Sequence, residues 1–171
     1  MSGYIHIYTG NGKGKTTASL GLALRAAGAG KKVFIAQFVK GMHYAELDAL
    51  KRFEPEITLR QYGRDCFIRY EPEAEDINLA KQGLTEVTDK IRSGKYDIVI
   101  LDEACIALYY KLFSLDELLG IIASKPESLE IVITGRYAPP ELIEIADLVT
   151  EMIEVKHYYS KGVEAREGIE F

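Results

Sequence analysis

The sequence contains no tryptophan, two cysteines and three histidines in 171 residues, and these shortages exclude several classes of protein. Cys66 and Cys105 lie far apart and lack the spacing of metal ligands, so neither a disulfide framework nor a zinc site is indicated. The histidines are too scattered to suggest a metal site. So few cysteines are typical of a reducing compartment, and we expect a cytoplasmic protein.

Long apolar runs are absent as well. No stretch approaches the roughly 18 apolar residues of a membrane helix, so we expect no membrane association. The chain passes almost directly into an apolar strand pattern, so we expect no cleaved signal peptide. A net charge of −5 disfavours binding to nucleic acid through a broad positively charged surface. The length suits one domain, which we predict to cover residues 1–171.

Short apolar runs alternate with longer helical patterns, which predicts an α/β fold. We expect three layers, with a mostly parallel sheet and helices on both of its faces. The predicted strands are Tyr4–Thr9, Val33–Phe38, Ile57–Gln61, Ile98–Asp102, Ile131–Thr134 and Leu148–Ile153. The predicted helices are Lys15–Ala29, Ala45–Phe53, Ala74–Ser93, Leu115–Ser124 and Pro140–Ala146.

A glycine-rich segment lies between the first predicted strand and the first predicted helix, as a phosphate-binding loop requires. Its backbone N–H groups can surround an anion, and the helix directs its positive end at the same point. Lys15 can reach the outer phosphates, and the Thr16 hydroxyl can bind Mg²⁺. The residues predicted to contact a nucleotide are Gly10, Asn11, Gly12, Lys13, Gly14, Lys15, Thr16 and Thr17.

The segment departs from the usual P-loop pattern in one respect. That pattern has a glycine where this chain has Thr9, and here the first glycine comes one position later, at Gly10. The loop also carries a second cation, Lys13. A flexible glycine turn that binds nothing is the alternative, but the spacing and both flanking patterns favour a phosphate site.

Charged residues follow three other predicted strands. In a parallel sheet, the ligand site lies at the carboxyl ends of the strands. Lys40 follows the second strand, Asp102 and Glu103 end the fourth, and Arg136 follows the fifth. Carboxylates are hard ligands for Mg²⁺, and a guanidinium binds phosphate in a bidentate manner. Which carboxylate would contact the metal stays open, and a merely solvated strand end is the alternative.

Several blocks together resemble the P-loop type of ATP:corrinoid adenosyltransferase, over a match from about residue 3 to the last residue. The late first glycine is the form that this family uses. The matching blocks are Thr9–Thr17, Gln37–Gly41, Val99–Glu103, Ile133–Arg136, Val155–His157 and Gly162–Glu170.

The resemblance implies a RecA-like P-loop fold and a homodimer that transfers the 5′-deoxyadenosyl group of ATP to a Co(I) corrinoid and releases tripolyphosphate. It implies ATP and the reduced corrinoid as substrates, Mg²⁺ or Mn²⁺ as the metal, and a reductase that supplies Co(I). Lys15, Thr16, Glu103 and Arg136 would be the catalytic residues, with Lys40 at the nucleotide.

By the same resemblance, the metal would be held by Thr16 and Glu103, with Asp102 beside them, and the loop near Gly63 would meet the corrinoid. Because the chain has no tryptophan, Phe67 is the aromatic residue available there. Two other functions remain open from the residues alone: a small-molecule kinase or ATPase, and a nucleotide-binding module without turnover. Lys13 and the shifted glycine favour the transferase.

Overall fold

The computed structural model describes residues 2–66, 68 and 71–171. The strands are β1 (Ile5–Thr9), β2 (Val33–Phe38), β3 (Ile57–Tyr62), β4 (Ile98–Asp102), β5 (Glu130–Thr134) and β6 (Leu148–Glu151). The α-helices are α1 (Lys15–Gly28), α2 (Ala45–Leu50), α3 (Ala74–Arg92), α4 (Ala104–Tyr109), α5 (Leu115–Ala123) and α6 (Pro140–Glu144). Two short 3₁₀ helices cover Lys51–Phe53 and Tyr158–Lys161.

All six strands run parallel in one sheet, in the order β3-β2-β4-β5-β1-β6. β1 lies between β5 and β6, with Ile7 opposite both Ile133 and Val149. Since the strands are parallel, their carboxyl ends form one edge of the sheet. The loop after β1, the end of β4 and the loop after β5 therefore meet at that edge.

Alternate residues of each strand point to opposite faces of the sheet. Both faces carry apolar side chains, and helices cover both of them. On β2, Phe34 and Phe38 belong to the apolar cluster that includes Val87 of α3, along with residues of α4, α5 and α6. Val33 and Ile35 belong to the opposite cluster, with apolar residues of α1 and α2. This three-layer arrangement confirms the predicted fold class.

The predicted strands and helices are confirmed to within about two residues at most ends, with two differences. The predicted helix Ala45–Phe53 consists of α2 followed by a 3₁₀ turn. The sequence analysis missed α4, a six-residue helix that is almost entirely apolar. A short apolar run lacks the polar face that distinguishes a helix from a buried strand.

Within residues 2–66, 68 and 71–171, no helix is both long enough and apolar enough to cross a bilayer.

Candidate phosphate and metal site

The glycine loop between β1 and α1 is shaped by two left-handed glycines and by the chain that follows β6. Gly10 has φ 95° and Gly14, directly before α1, has φ 119°. A Cβ atom on Gly10 would lie 2.5 Å from the carbonyl oxygen of Met152. The Gly12 N–H donates a hydrogen bond of 2.6 Å to that same oxygen. The loop therefore needs glycine both for its backbone angles and for this close approach.

Lys15, the first residue of α1, places its ammonium in the hollow of the loop. Its Nζ donates to the carbonyl oxygens of Gly10 at 2.8 Å and Gly12 at 2.7 Å. The residue is 7% exposed, and this burial lowers the pKa of its ammonium. A cation held beside the N-terminus of a helix, with only neutral carbonyls as partners, is a favourable position for an incoming phosphate.

Asp102 ends β4 with a side chain that is completely buried and accepts four hydrogen bonds. Oδ1 accepts from the hydroxyls of Thr16 at 2.9 Å and Thr134 at 2.7 Å. Oδ2 accepts from Lys40 Nζ at 2.9 Å and Gln37 Nε2 at 3.2 Å. A carboxylate has about four acceptor positions, so Asp102 has its full set of donors. It fixes the Thr16 hydroxyl at the start of α1.

Glu103, the next residue, has the opposite surroundings. It adopts a left-handed backbone (φ 58°), and its N–H donates to the Thr134 hydroxyl at 3.0 Å. In the part of the chain that the structure describes, no donor contacts its carboxylate. Burial, followed by the neighbouring charge of Asp102, raises the pKa of this carboxyl group. Glu103 therefore offers carboxylate oxygens to the cleft that are available to a cation.

Arg136 lines the same cleft as Lys15 and Glu103 and comes directly after a glycine that packs against α4. Gly135 has φ 135°, and a Cβ atom there would lie 2.8 Å from Cβ of Cys105. This packing fixes the backbone from which the exposed Arg136 side chain extends into the cleft. The positive charge of Arg136 acts on both Lys15 and Glu103.

Lys13, the second cation of the loop, is bound by the end of the chain. Its Nζ donates to Glu170 Oε1 at 2.6 Å, to the Ile169 carbonyl at 2.8 Å and to the Tyr158 hydroxyl at 3.1 Å. Tyr158 also donates a hydrogen bond to Glu170. The sequence of this tail shows no helical or strand pattern, and the structure shows that its contacts with Lys13 hold it against the loop.

These elements surround a cleft of about 720 Å³. Over residues 1–171, the chain matches the model of the family described as ATP:corrinoid adenosyltransferase BtuR/CobO/CobP. The chain belongs to this family. The match confirms the resemblance found in the sequence and does not favour a kinase or a simple ATPase.

Named relatives agree with this assignment. The chain is 35% identical to a corrinoid adenosyltransferase of Pseudomonas aeruginosa, over 99% of this chain and 84% of that protein. It is 33% identical to a corrinoid adenosyltransferase of Escherichia coli K12 and 32% identical to corrinoid adenosyltransferase CobA of Salmonella typhimurium. Both comparisons cover 99% of this chain and 86% of the relative.

Most of the site residues predicted for this adenosyltransferase meet at the cleft. The predicted residues that line it are Gly12, Lys13, Gly14, Lys15, Thr16, Thr17, Lys40, Glu103 and Arg136. Asp102 lies buried beneath it, Gly10 packs on Met152, and Asn11 is exposed on the loop. Phe67 lies outside the described residues. The functional roles of all these residues remain predictions.

Other residues of the cleft were not predicted from the sequence, among them Tyr44 and Glu46. Tyr44 and Glu46 border it from the start of α2, and the tail residues Gly168–Phe171 form a further wall. Glu46 is placed at the cleft by its hydrogen bond with Gln37 of β2, and the tail by its contact with Lys13, which lies far from it in sequence. Within the described residues, no group of three or more His, Cys, Asp or Glu side chains could hold a metal unaided.

Proposed function

We propose that this adenosyltransferase joins the C5′ carbon of ATP to the cobalt of a Co(I) corrinoid and releases tripolyphosphate. The electron pair of Co(I) forms the new Co–C bond. The C5′–O bond breaks, and its electron pair leaves with the triphosphate. No activated side-chain nucleophile is needed, so the protein acts by positioning and by stabilising the leaving group. The observation that carries the proposal is a P-loop cleft in a chain of this family.

The triphosphate would bind across the mouth of the glycine loop. The free N–H groups at the start of α1 and the helix dipole favour an anion there. The Lys15 ammonium can exchange its two carbonyl partners for phosphate oxygens, which are charged acceptors and bind it more strongly. Arg136, which lines the same cleft, would also contact the phosphates. Together these groups would stabilise the negative charge of the departing tripolyphosphate.

The oxygen donors at the end of β4 suit a hard divalent cation, Mg²⁺ or Mn²⁺. The Thr16 hydroxyl and the uncommitted Glu103 carboxylate would hold it, while Asp102 orients Thr16 through their 2.9 Å hydrogen bond. A site of few protein oxygens is typical for Mg²⁺, which takes its remaining ligands from phosphate and water. When bound, the cation supplies charge neutralisation along the phosphates.

The corrinoid would approach from the loop that follows β3. A Cβ atom on Gly63 would lie 2.5 Å from the backbone nitrogen of Lys40, so this loop packs directly on the one after β2. The β3 loop therefore starts beside the nucleotide cleft. Phe67 remains the predicted contact for the corrinoid ring. A homodimer, a separate reductase and a cytoplasmic location also remain predictions.

One experiment tests the reaction. The protein is incubated with ATP, Mg²⁺ and chemically reduced cobalamin, and the products are followed by visible spectroscopy and ³¹P NMR. We expect a light-sensitive alkylcobalamin and one tripolyphosphate for each molecule formed. Lys15→Ala should lose both products, whereas Lys32→Ala, an exposed lysine far from the cleft, should retain them. Stoichiometric ADP without tripolyphosphate would instead establish phosphoryl transfer.

A further inference from the structure

Lys40 lies against Thr16, one of the two proposed metal ligands, and against Asp102, which orients Thr16. The Lys40 Nζ is 2.9 Å from Asp102 Oδ2, 3.3 Å from Thr16 Oγ1 and 4.0 Å from Glu46 Oε1. It also lies 5.2 Å from the centre of the Tyr44 ring. The side chain is only 14% exposed. This burial alone would lower the pKa of the ammonium, but the charge and hydrogen bond of Asp102, with the nearby glutamates, outweigh it and raise the pKa.

The Lys40 ammonium and a divalent cation compete for the Thr16 hydroxyl oxygen and for the negative charge around it. In a partly buried site two positive charges repel strongly at such distances, so the ammonium and a cation bound by Thr16 and Glu103 cannot both contact Thr16. We propose that Lys40 is a positioning residue that holds the metal half-site before nucleotide binds, so that the divalent cation enters only together with ATP. This inference rests on the proposed function, because it takes the metal to bind at Thr16 and Glu103.

The local charges support this order of binding. With Lys40 in place, the carboxylates of Asp102, Glu103 and Glu46 face an ammonium, which reduces their attraction for a free cation. Without it, the cations nearest these carboxylates are Lys15, whose ammonium is turned toward loop carbonyls, and the exposed Arg136. The triphosphate of ATP would add enough negative charge for both cations. The flexible Lys40 side chain could then move toward Glu46 or the phosphates.

Nucleotide-free metal binding tests the proposal, with Mn²⁺ as the probe and the EPR signal of free Mn²⁺ as the readout. We expect the unmodified protein to bind Mn²⁺ weakly without ATP. Lys40→Met should bind it at least about tenfold more tightly, because uncompensated carboxylates attract a divalent cation. Lys51→Met removes an exposed lysine and should leave the affinity unchanged. Unchanged or weaker binding in Lys40→Met would overturn the proposal.

Two further variants keep the test decisive if Lys40→Met folds poorly. Lys40→Arg retains the positive charge and should bind nucleotide-free Mn²⁺ as weakly as the unmodified protein. Lys40→Gln removes the charge but leaves a polar group facing Asp102, and it should bind nucleotide-free Mn²⁺ more tightly than the unmodified protein. Tight Mn²⁺ binding by Lys40→Arg would contradict the proposal. These measurements contain no corrinoid, so they test the role of Lys40 independently of the transferase reaction. A negative result would contradict the role of Lys40 alone, and a loss of transferase activity would not by itself contradict the Mn²⁺ result.

Discussion

Two adjacent carboxylates, Asp102 and Glu103, have different surroundings in this protein. Asp102 is surrounded by four donors, whereas the Glu103 carboxylate faces the cleft. The sequence alone indicated an acidic pair at a strand end and could not assign a role to either member. The distinction depends on Thr134 and Lys40, which approach Asp102 from other strands. Such contacts cannot be inferred from local spacing.

Because their surroundings differ, we expect a conservative variant of Asp102 to change the stability of the protein and one of Glu103 to change its Mg²⁺ requirement. Asp102→Asn places an amide group against donors in a buried position, so we expect the free energy of unfolding to fall by about 3 kcal/mol. Glu103→Gln should unfold like the unmodified protein but require roughly tenfold more Mg²⁺ for half-maximal activity, because the cation loses a charged ligand. Urea denaturation and Mg²⁺ titration of both variants measure this. Matching Mg²⁺ curves for Glu103→Gln and the unmodified protein would place the metal elsewhere.

The two cysteines should differ in reactivity. Burial raises the pKa of the Cys105 thiol to about 12, whereas Cys66 is exposed. The thiolate is the nucleophile, so Cys105 should resist iodoacetamide at neutral pH while Cys66 is alkylated. Mass spectrometry of the digested protein identifies the labelled site. Denaturation in urea should expose both thiols, and alkylation of Cys105 in the native protein would contradict the packing of α4 against Gly135.

At the scale of secondary structure, the sequence predicted the elements that carry their own periodic signal. The sheet strands and the long helices α1 and α3 were recognised from apolar spacing. α4 was missed because its short sequence is almost entirely apolar and has no polar face, while Ala104, Cys105 and Ala107 are buried in an apolar cluster. The tail carries no periodic signal and was recognised only by its resemblance to the family. Its position depends on the contact between Lys13 and Glu170, which are 157 residues apart.

The tail contacts predict a selective loss of function. Deleting Tyr158–Phe171 leaves the glycine loop intact but removes one wall of the cleft. We expect kcat/KM for the corrinoid to fall more than the affinity for ATP. Glu170→Gln should cause a smaller loss of the same kind, because it weakens the contact with Lys13. Steady-state kinetics with each substrate varied in turn measures both effects.

Glu164→Gln alters an exposed glutamate of the same segment and serves as the control. Equal corrinoid kinetics in the truncated and full-length proteins would identify the tail as a dispensable end.

At the scale of the whole molecule, the parallel sheet unites residues from distant parts of the chain. The loop after β1, Lys40 after β2, Asp102 at the end of β4 and Arg136 after β5 all meet at one edge. The general location of the site was therefore predictable from the alternation of strands and helices. The hydrogen bonds within it were not, because they join residues of different strands.

Ligand binding at this edge should stabilise the entire domain. At 100 times its Kd, a ligand that binds only the native state adds about 2.7 kcal/mol to the free energy of unfolding. For a chain of this length, that corresponds to a rise in Tm of roughly 5 to 11 °C. ATP with Mg²⁺ should produce it, whereas the same concentration of AMP should give much less, because the loop binds the triphosphate. Equal shifts with AMP would contradict a phosphate-centred site.

The support of the glycine loop by Met152 has a consequence for how the protein is made. The loop is synthesised well before Met152, whose carbonyl accepts the Gly12 N–H. A nascent chain that has emerged only as far as α5 would contain every residue of the loop motif but not the segment after β6 that supports it. We therefore expect ATP to bind and stabilise the loop only after β6 has joined the sheet, and not during the early stages of folding.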